Sequence, residues 1–260
     1  MATDMDGTLL DPGGRVTART ARAVALARAA GIHVIPVTGR PPQALWDLAS
    51  AAGLGSHGVC SNGAALVDLD QGVVIEVEEV AGEIATALVD LIREAVPGVL
   101  LATDDLECFS YERGFFPMPV DWQEKLAEVE DVRPIVSTGC IKLIARTNGT
   151  SAADLIRLLE TEVGEVGHVT TSGLDWVDVG PPGVSKAYAL ERLCDRLGIR
   201  VGEVVAVGDN HNDLSVLAWA GQAMAPANAI PEVLALADRV LPSNAEEGVA
   251  VLLEELAAGA

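Results

Sequence analysis

Lysine is nearly absent from this chain. Only Lys125, Lys142 and Lys186 occur in 260 residues. Lys and Arg together number 17 against 38 Asp and Glu, a formal net charge of −21. A surface of that sign repels nucleic acid and anionic lipid, so neither is expected as a partner. It also repels small anions, so an anionic ligand needs a local cation to collect it. No apolar run is long enough to cross a membrane, and the N-terminus carries no basic, apolar signal segment. A soluble, cytoplasmic protein is expected. Cys60, Cys108, Cys140 and Cys194 lie far apart with no CxxC pairing. That spacing reads as buried thiols rather than a zinc site or disulfide framework.

What is present is an alternation of short apolar strands and amphipathic helices. Val16 to Ala30 reads as a helix capped by Thr17 and ended by Gly31. Ile32 to Val37 reads as a strand, Pro41 to Ala52 as a helix, and Val59-Cys60 as a brief strand. After Asn62 the pattern changes. Ala64 to Val67 and Val73 to Val77 suggest a hairpin, followed by a helix over Glu83 to Ala95 and a strand over Val99 to Ala102. Gly114 to Pro119 reads as an irregular aromatic loop, Cys140 to Ala145 as a strand, and Ser151 caps a helix to Val163. Val166 to Thr170 and Leu174 to Val179 suggest a second hairpin. Alternation resumes with a helix over Ser185 to Leu197, a strand over Val204 to Val207 and a helix over Leu214 to Ala220; residues 222 to 260 add short strand and helix pieces. The expected fold is α/β: a Rossmann-like parallel-sheet core, residues 1–66 and 180–260, interrupted by an inserted α+β cap, residues 67–179.

Four segments carry chemistry. They are Asp4-Met5-Asp6-Gly7-Thr8, Thr38-Gly39-Arg40, Ser185-Lys186, and Gly208-Asp209-Asn210-His211-Asn212-Asp213. Asp4, Thr38 and Asp209 each follow an apolar strand candidate. Ligands of open parallel sheets bind beyond the C-terminal strand ends, so neighbouring strands would aim all three residues into one crevice. A carboxylate there can attack phosphorus once a hard cation and a lysine offset the charge repulsion. Taken singly, each segment has a plainer reading. Thr38 could cap the helix at Pro41, Lys186 could be a first-turn surface lysine, and Asp209 to Asp213 could be an exposed Asx-rich turn.

Together and in this order, the four segments resemble the motifs of the haloacid dehalogenase (HAD) superfamily, and their spacing resembles its Cof-type branch (subclass IIB, C2-type cap). The resemblance spans almost the whole chain. It implies a Mg²⁺-dependent phosphomonoester hydrolase acting on a small phosphorylated metabolite, with a sugar phosphate as default. FMN and pyridoxal phosphate are open as substrates, and so are the sucrose-phosphate and mannosyl-phosphoglycerate phosphatase reactions. Asp4 would be the nucleophile that forms an aspartyl-phosphate, and a metal ligand. Asp6 would be the acid/base, with its backbone carbonyl on the metal. Thr38 would hydrogen-bond the phosphoryl group and Lys186 would neutralise it. Asp209 would be the other carboxylate on Mg²⁺, with Asp213 and Asn212 shaping the metal and phosphate shells. Gly39 and Arg40 would adjoin the phosphate, although Arg40 could equally be a salt-bridged helix-start residue. Asn62, in Ser61-Asn62-Gly63-Ala64, would lie near the site at the cap junction. A phosphosugar mutase and a non-catalytic phosphometabolite sensor remain as alternatives, and the chain could be a monomer or homodimer.

Other features are declined. Gly53 to Gly58 matches GxGxxG literally, but it follows a helix and precedes a strand, the reverse of a dinucleotide fingerprint. His33, His57 and His168 lack metal-ligand spacing, and His211 reads as a loop residue. Trp46 and Trp219 read as core. Only Met1, Ala2 and Thr3 precede Asp4, and three residues span only about 10 Å. Either the first strand is unusually short, closed over by its neighbours, or an in-frame upstream extension rich in Val, Ile or Leu completes it.

Overall fold

The computed structural model describes residues 1–116, 125–171 and 175–259. The chain begins as β1 (Ala2–Thr3), α1 (Ala18–Ala29), β2 (Ile35–Pro36), α2 (Pro42–Ala52), β3 (His57–Cys60), β4 (Ala65–Asp68) and β5 (Val73–Val77). It continues as α3 (Gly82–Ala95), β6 (Leu100–Asp104), β7 (Phe109–Glu112), β8 (Leu126–Val129), α4 (Arg133–Val136), β9 (Lys142–Arg146), α5 (Ala152–Val163), β10 (His168–Thr170) and β11 (Val177–Gly180). The last stretch is α6 (Lys186–Leu197), β12 (Val205–Val207), α7 (Leu214–Trp219), β13 (Gln222–Pro226), α8 (Pro231–Leu236), β14 (Arg239–Leu241) and α9 (Gly248–Gly259). Two compact units result: Met1–Glu76 with Ser185–Ala260, and Val77–Val184.

The first unit is built on a parallel sheet of order β14-β13-β12-β1-β2. The two-residue β1 lies at its centre. Ala2 pairs with Ala206 on one side and with Ile35 on the other. A parallel bridge between Val37 and Val59 leads from β2 to a second sheet, β3-β4-β5. Strands this short hold because helices bury them. Ala189, Leu190 and Leu193 of α6, Val216 and Leu217 of α7 and Val233 of α8 pack with Ala2, Ile35, Ala206 and Ala225. A second set, α1 and α9, pack on each other. Thr17 caps α1 as expected, accepting from Thr20 N–H at 3.1 Å. Arg19 of α1 pairs with Glu254 of α9 at 2.7 Å.

The second unit carries a sheet of order β10-β11-β9-β6-β7-β8, mostly antiparallel. One face packs on α3 and α5, through Leu101, Leu143, Ala145, Val177 and Val179 against Leu88, Ile92, Leu155 and Leu159.

Four expectations need correcting. The β4–β5 hairpin belongs to the first unit, because β4 pairs with β3 over His57↔Asp68 to Cys60↔Ala65. The units therefore divide at 76/77 and 184/185 rather than at 66/67 and 179/180. Trp46 and Trp219 are half-buried, not core. The sequence reading also passed over β7, β8 and α4, and α9 is a full helix rather than a short piece. In the Gly114 to Pro119 loop, residues 117–119 lie outside the described residues, as does Leu174 of the second hairpin. Cys60, Cys140 and Cys194 are buried and Cys108 half-buried, all as free thiols.

Candidate active site

Strand order brings the motifs together. β12, β1 and β2 are adjacent and parallel, so the residues just past their C-terminal ends emerge side by side. Asp4 follows β1 directly, its N–H donating to Val207 O at 2.9 Å. Thr38 follows β2, and its N–H donates to Val59 O at 2.9 Å. Asp209 follows β12 after Gly208. This is the crevice the strand-end argument anticipates.

Lys186 reaches the site from the first residue of α6, whose N-terminus Ser185 caps by accepting from Tyr188 N–H. Its side chain is 1% exposed, so it is no surface lysine. Lys186 Nζ donates to Asp4 Oδ1 and to Asp213 Oδ1, both at 2.7 Å. Asp213 Oδ2 in turn accepts from the N–H groups of Asp209 at 2.9 Å and Asn210 at 3.1 Å. Residues 209–213 thus form a wound loop in which Asp209, Asn212 and Asp213 are buried. Asp209 Oδ1 accepts from the Thr8 hydroxyl at 2.6 Å.

Carboxylate oxygens of Asp4, Asp209 and Asp213 all lie within 4.8 Å of one another, and all three residues are buried. Like charges 4 Å apart repel by about 4 kcal/mol at an effective dielectric near 20. One ammonium cannot offset three carboxylates. Burial is the main cause that pushes Asp4 well above the ordinary carboxylate range; Lys186 opposes it, and Asp213 and Asp209 add to it. Burial likewise raises Asp209 to about 6, against the Thr8 hydrogen bond. Lys186 is held charged, because Asp213 and Asp4 outweigh its own burial. The cluster is short of positive charge and offers hard oxygen donors.

Glycines make the approach possible. Gly7 has φ +76°, and a Cβ there would sit 2.4 Å from Asp209 Oδ2. A Cβ on Gly208 would lie 2.3 Å from Asp213 Cγ. Asn228 Nδ2 donates to Gly7 O at 2.8 Å and fixes the loop after Asp4.

Asp6 is held by an arginine rather than by Lys186. Both of its oxygens are taken by Arg40, Nε to Oδ2 at 2.7 Å and Nη2 to Oδ1 at 2.6 Å. The alternative of a salt-bridged Arg40 is therefore the one observed. Thr38 does not cap α2. Its Oγ1 accepts from Arg40 N–H at 3.1 Å, and α2 begins at Pro42 with Pro41 at its N-cap and no side-chain cap. Gly39 lies between these two residues. Asn62 Oδ1 accepts from Asn212 Nδ2 at 3.0 Å, joining the Ser61-Asn62-Gly63 turn to the fourth segment. Ser61 and Asn62 hold φ of +49° and +56°, costly for non-glycine residues. The N–H groups of Ser61 and Asn62 donate to Arg40 O and Thr38 O. Gly63 at φ +108° abuts Ser185 O.

The sequence reading assigned no role to Thr8 or Asn228. Thr8 is the hydroxyl that ends the first segment, so a signal was there. Asn228 has no local pattern to mark it.

Comparison with known proteins agrees with this geometry. Residues 1–253 match the family model of the haloacid dehalogenase-like hydrolases. YxeH of Bacillus subtilis is 29% identical over 268 residues, covering 98% of this chain and 97% of its own. The pyridoxal phosphate phosphatase YbhA of Escherichia coli is 29% identical over 262 residues, covering 96% of this chain and 95% of its own. A crystal structure from Streptococcus mutans has the same fold, with a TM-score of 0.86 at 23% identity over 99% of this chain and 98% of its own. The strand-end carboxylates, the buried lysine and the full-length family match together establish that the chain belongs to the haloacid dehalogenase-like hydrolases.

Proposed function

We propose that the chain is a Mg²⁺-dependent phosphatase that hydrolyses a small phosphorylated metabolite through an aspartyl-phosphate on Asp4. The observation that carries this reading is the Asp4–Lys186–Asp213 chain beside Asp209: one buried nucleophile candidate, one buried cation and two further carboxylates within 4.8 Å.

Asp4, Asp209 and Asp213 fit Mg²⁺, because they supply hard oxygens in a place with surplus negative charge; the Asp6 backbone carbonyl would complete the protein's share. When bound, the ion neutralises phosphoryl charge. Lys186 adds a fixed positive charge and holds Asp4 Oδ1, which leaves Oδ2 for attack on phosphorus. The phosphorus–oxygen bond to the leaving alcohol breaks as the bond to Asp4 forms. The Asp6 carboxyl gives its proton to the departing oxygen, then takes one from the attacking water, whose oxygen displaces Asp4. Thr38 and the neighbouring Gly39 would hydrogen-bond the phosphoryl oxygens. Asn212, fixed by Asn62, would shape the phosphate pocket. Arg40 positions Asp6, since its fork grips both carboxylate oxygens.

A small metabolite is supported by relatives such as the pyridoxal phosphate phosphatase YbhA. A sugar phosphate remains the default for this chain, and the insert, Val77–Val184, would act as the cap that selects it. Phosphate release from a panel of phosphorylated metabolites, with Mg²⁺ and with EDTA, tests the reading. Mg²⁺-dependent release is expected. Transfer to a sugar acceptor instead of water, or no turnover of any ester, would sink it.

A further inference from the structure

Ser61 is buried, only 4% exposed, and among the described residues its hydroxyl has no hydrogen-bond partner. A buried hydroxyl left unpaired lowers stability, and an alanine in its place would avoid that loss. The turn around it is also strained. Ser61, Asn62 and Gly63 hold φ of +49°, +56° and +108° in succession, and only the glycine adopts such a conformation readily. Two unfavourable features at one residue point away from a purely structural role.

The place of the turn in the fold says what the role is. β3 runs parallel to β2 at the Val37–Val59 bridge, and β2 runs parallel to β1. Ser61 follows β3 directly, so it leaves the strands at the same end as Thr38 and Asp4. The turn is then tied to three of the four chemical segments. Ser61 N–H donates to Arg40 O at 2.8 Å, and Asn62 N–H donates to Thr38 O at 3.0 Å. Asn62 Oδ1 accepts from Asn212 Nδ2. Gly63 packs so closely on the start of α6 that a Cβ would fall 2.2 Å from Ser185 O and 3.3 Å from Lys186 N. All of these residues lie in the first unit. Thr38, Lys186 and Asn212 are the groups that the hydrolase reading sets around the phosphoryl group.

We infer that the Ser61 hydroxyl is a further ligand of the phosphoryl group, donating to one of its oxygens when the ester is bound; this rests on the hydrolase reading above. A serine hydroxyl has one proton to donate and rotates to suit its acceptor. A phosphoryl oxygen is an anionic acceptor, and hydrogen bonds to ionised partners are about twice as strong as neutral ones. The bound anion supplies the partner that the ligand-free chain lacks. The strained turn holds the donor in place before the ligand arrives, so little reorganisation is needed on binding.

The test is calorimetric binding of orthovanadate, an oxyanion of the same shape as phosphate, to the full chain with Mg²⁺. Ser61→Ala keeps the Cβ and the backbone strain and removes only the oxygen. It should bind vanadate at least about tenfold more weakly, the scale of a lost hydrogen bond to a charged group. Its melting temperature without ligand should be no lower than that of the wild type. Ser61→Gly, which suits a positive φ, gives the same readout if Ser61→Ala fails to fold. Unchanged vanadate affinity in both variants would overturn the assignment. Weaker binding together with a lower ligand-free melting temperature would also overturn it, because the hydroxyl would then serve the fold. Vanadate binding that depends on Ser61, in a chain that turns over no ester, would instead sink the hydrolase reading and leave this ligand standing. No vanadate binding by the unmutated chain would sink both.

Discussion

Lys186 Nζ sits 2.7 Å from Asp4 Oδ1, although 182 residues separate them in sequence. The same ammonium lies 2.7 Å from Asp213 Oδ1, so it is the fixed counter-charge of a carboxylate cluster. Lys186→Met should therefore do two things. Turnover should fall by about a hundredfold or more, in line with the loss of a preorganised electrostatic group. Removing one partner of a buried pair costs about 3–5 kcal/mol, so urea unfolding should show a clear loss of stability. Near wild-type stability would mean that the carboxylates do not depend on the lysine.

Metal should restore the missing positive charge. EDTA should stop hydrolysis and Mg²⁺ should restart it. Ca²⁺ should inhibit, because it takes more ligands at longer distances than Mg²⁺. A ligand that binds only the folded chain stabilises it by RT ln(1 + [L]/Kd), so Mg²⁺ should raise the melting temperature of the wild type. The rise should shrink in Asp209→Asn. Full activity in EDTA would remove the metal from the account.

Arg40 tests the acid/base assignment. Its guanidinium grips Asp6 with two bonds, of 2.7 and 2.6 Å, through partly exposed side chains. Little stability rides on such a pair, but geometry does. Arg40→Lys keeps the charge and loses the fork. Turnover should fall about tenfold or more, the scale of a misplaced catalytic group, with the melting temperature nearly unchanged. Asp6→Asn should be far more severe. Equal, small effects from the two substitutions would separate Asp6 from proton transfer.

Gly63 links the Ser61-Asn62-Gly63 turn to the base of α6. A Cβ at 63 would fall 2.2 Å from Ser185 O, at φ +108°. Backbone cannot yield as a flexible side chain does. Gly63→Ala should destabilise the fold by more than about 2 kcal/mol and lower activity by displacing Lys186. Gly202→Ala, where a Cβ meets nothing within 4 Å, is the control.

The insert should show its own acid sensitivity. Burial lowers the pKa of His168, opposed by Glu160. A folded pKa below the unfolded one near 6.5 means that the unfolded chain binds the proton more readily. The associated stability is present above about pH 6.5 and is lost as pH falls below it. Wild type should lose more melting temperature than His168→Asn between pH 7.5 and 5.5, both taken to bracket that value. Parallel losses would mean that the histidine is not held neutral.

Much of this site was legible in the sequence, and the reason is geometric. Parallel strands fix direction, so Asp4, Thr38 and Asp209 had to leave the sheet at one edge once β12, β1 and β2 proved adjacent. Arg40 was left open between phosphate and a salt bridge, because its pairing with Asp6 joins two segments far apart in sequence. The β4–β5 hairpin was assigned to the wrong unit because pairing with β3 is non-local and leaves no mark on composition. β7 was missed although Phe109 and Tyr111 alternate with Ser110 and Glu112. Four mixed residues are too few for a period to stand out. Ser61 was assigned no role, because the burial of its unpartnered hydroxyl arises from the folding of the turn and leaves no mark on the segment.

The central claim is that Asp4 carries the phosphoryl group. Borohydride trapping during turnover with Mg²⁺ tests it most directly, because an acyl phosphate is reduced to the alcohol while a free carboxylate is not. Peptide mass spectrometry should find homoserine at position 4, dependent on substrate and absent from Asp4→Asn. Steady turnover with position 4 unmodified, or reduction at another carboxylate, would contradict the account.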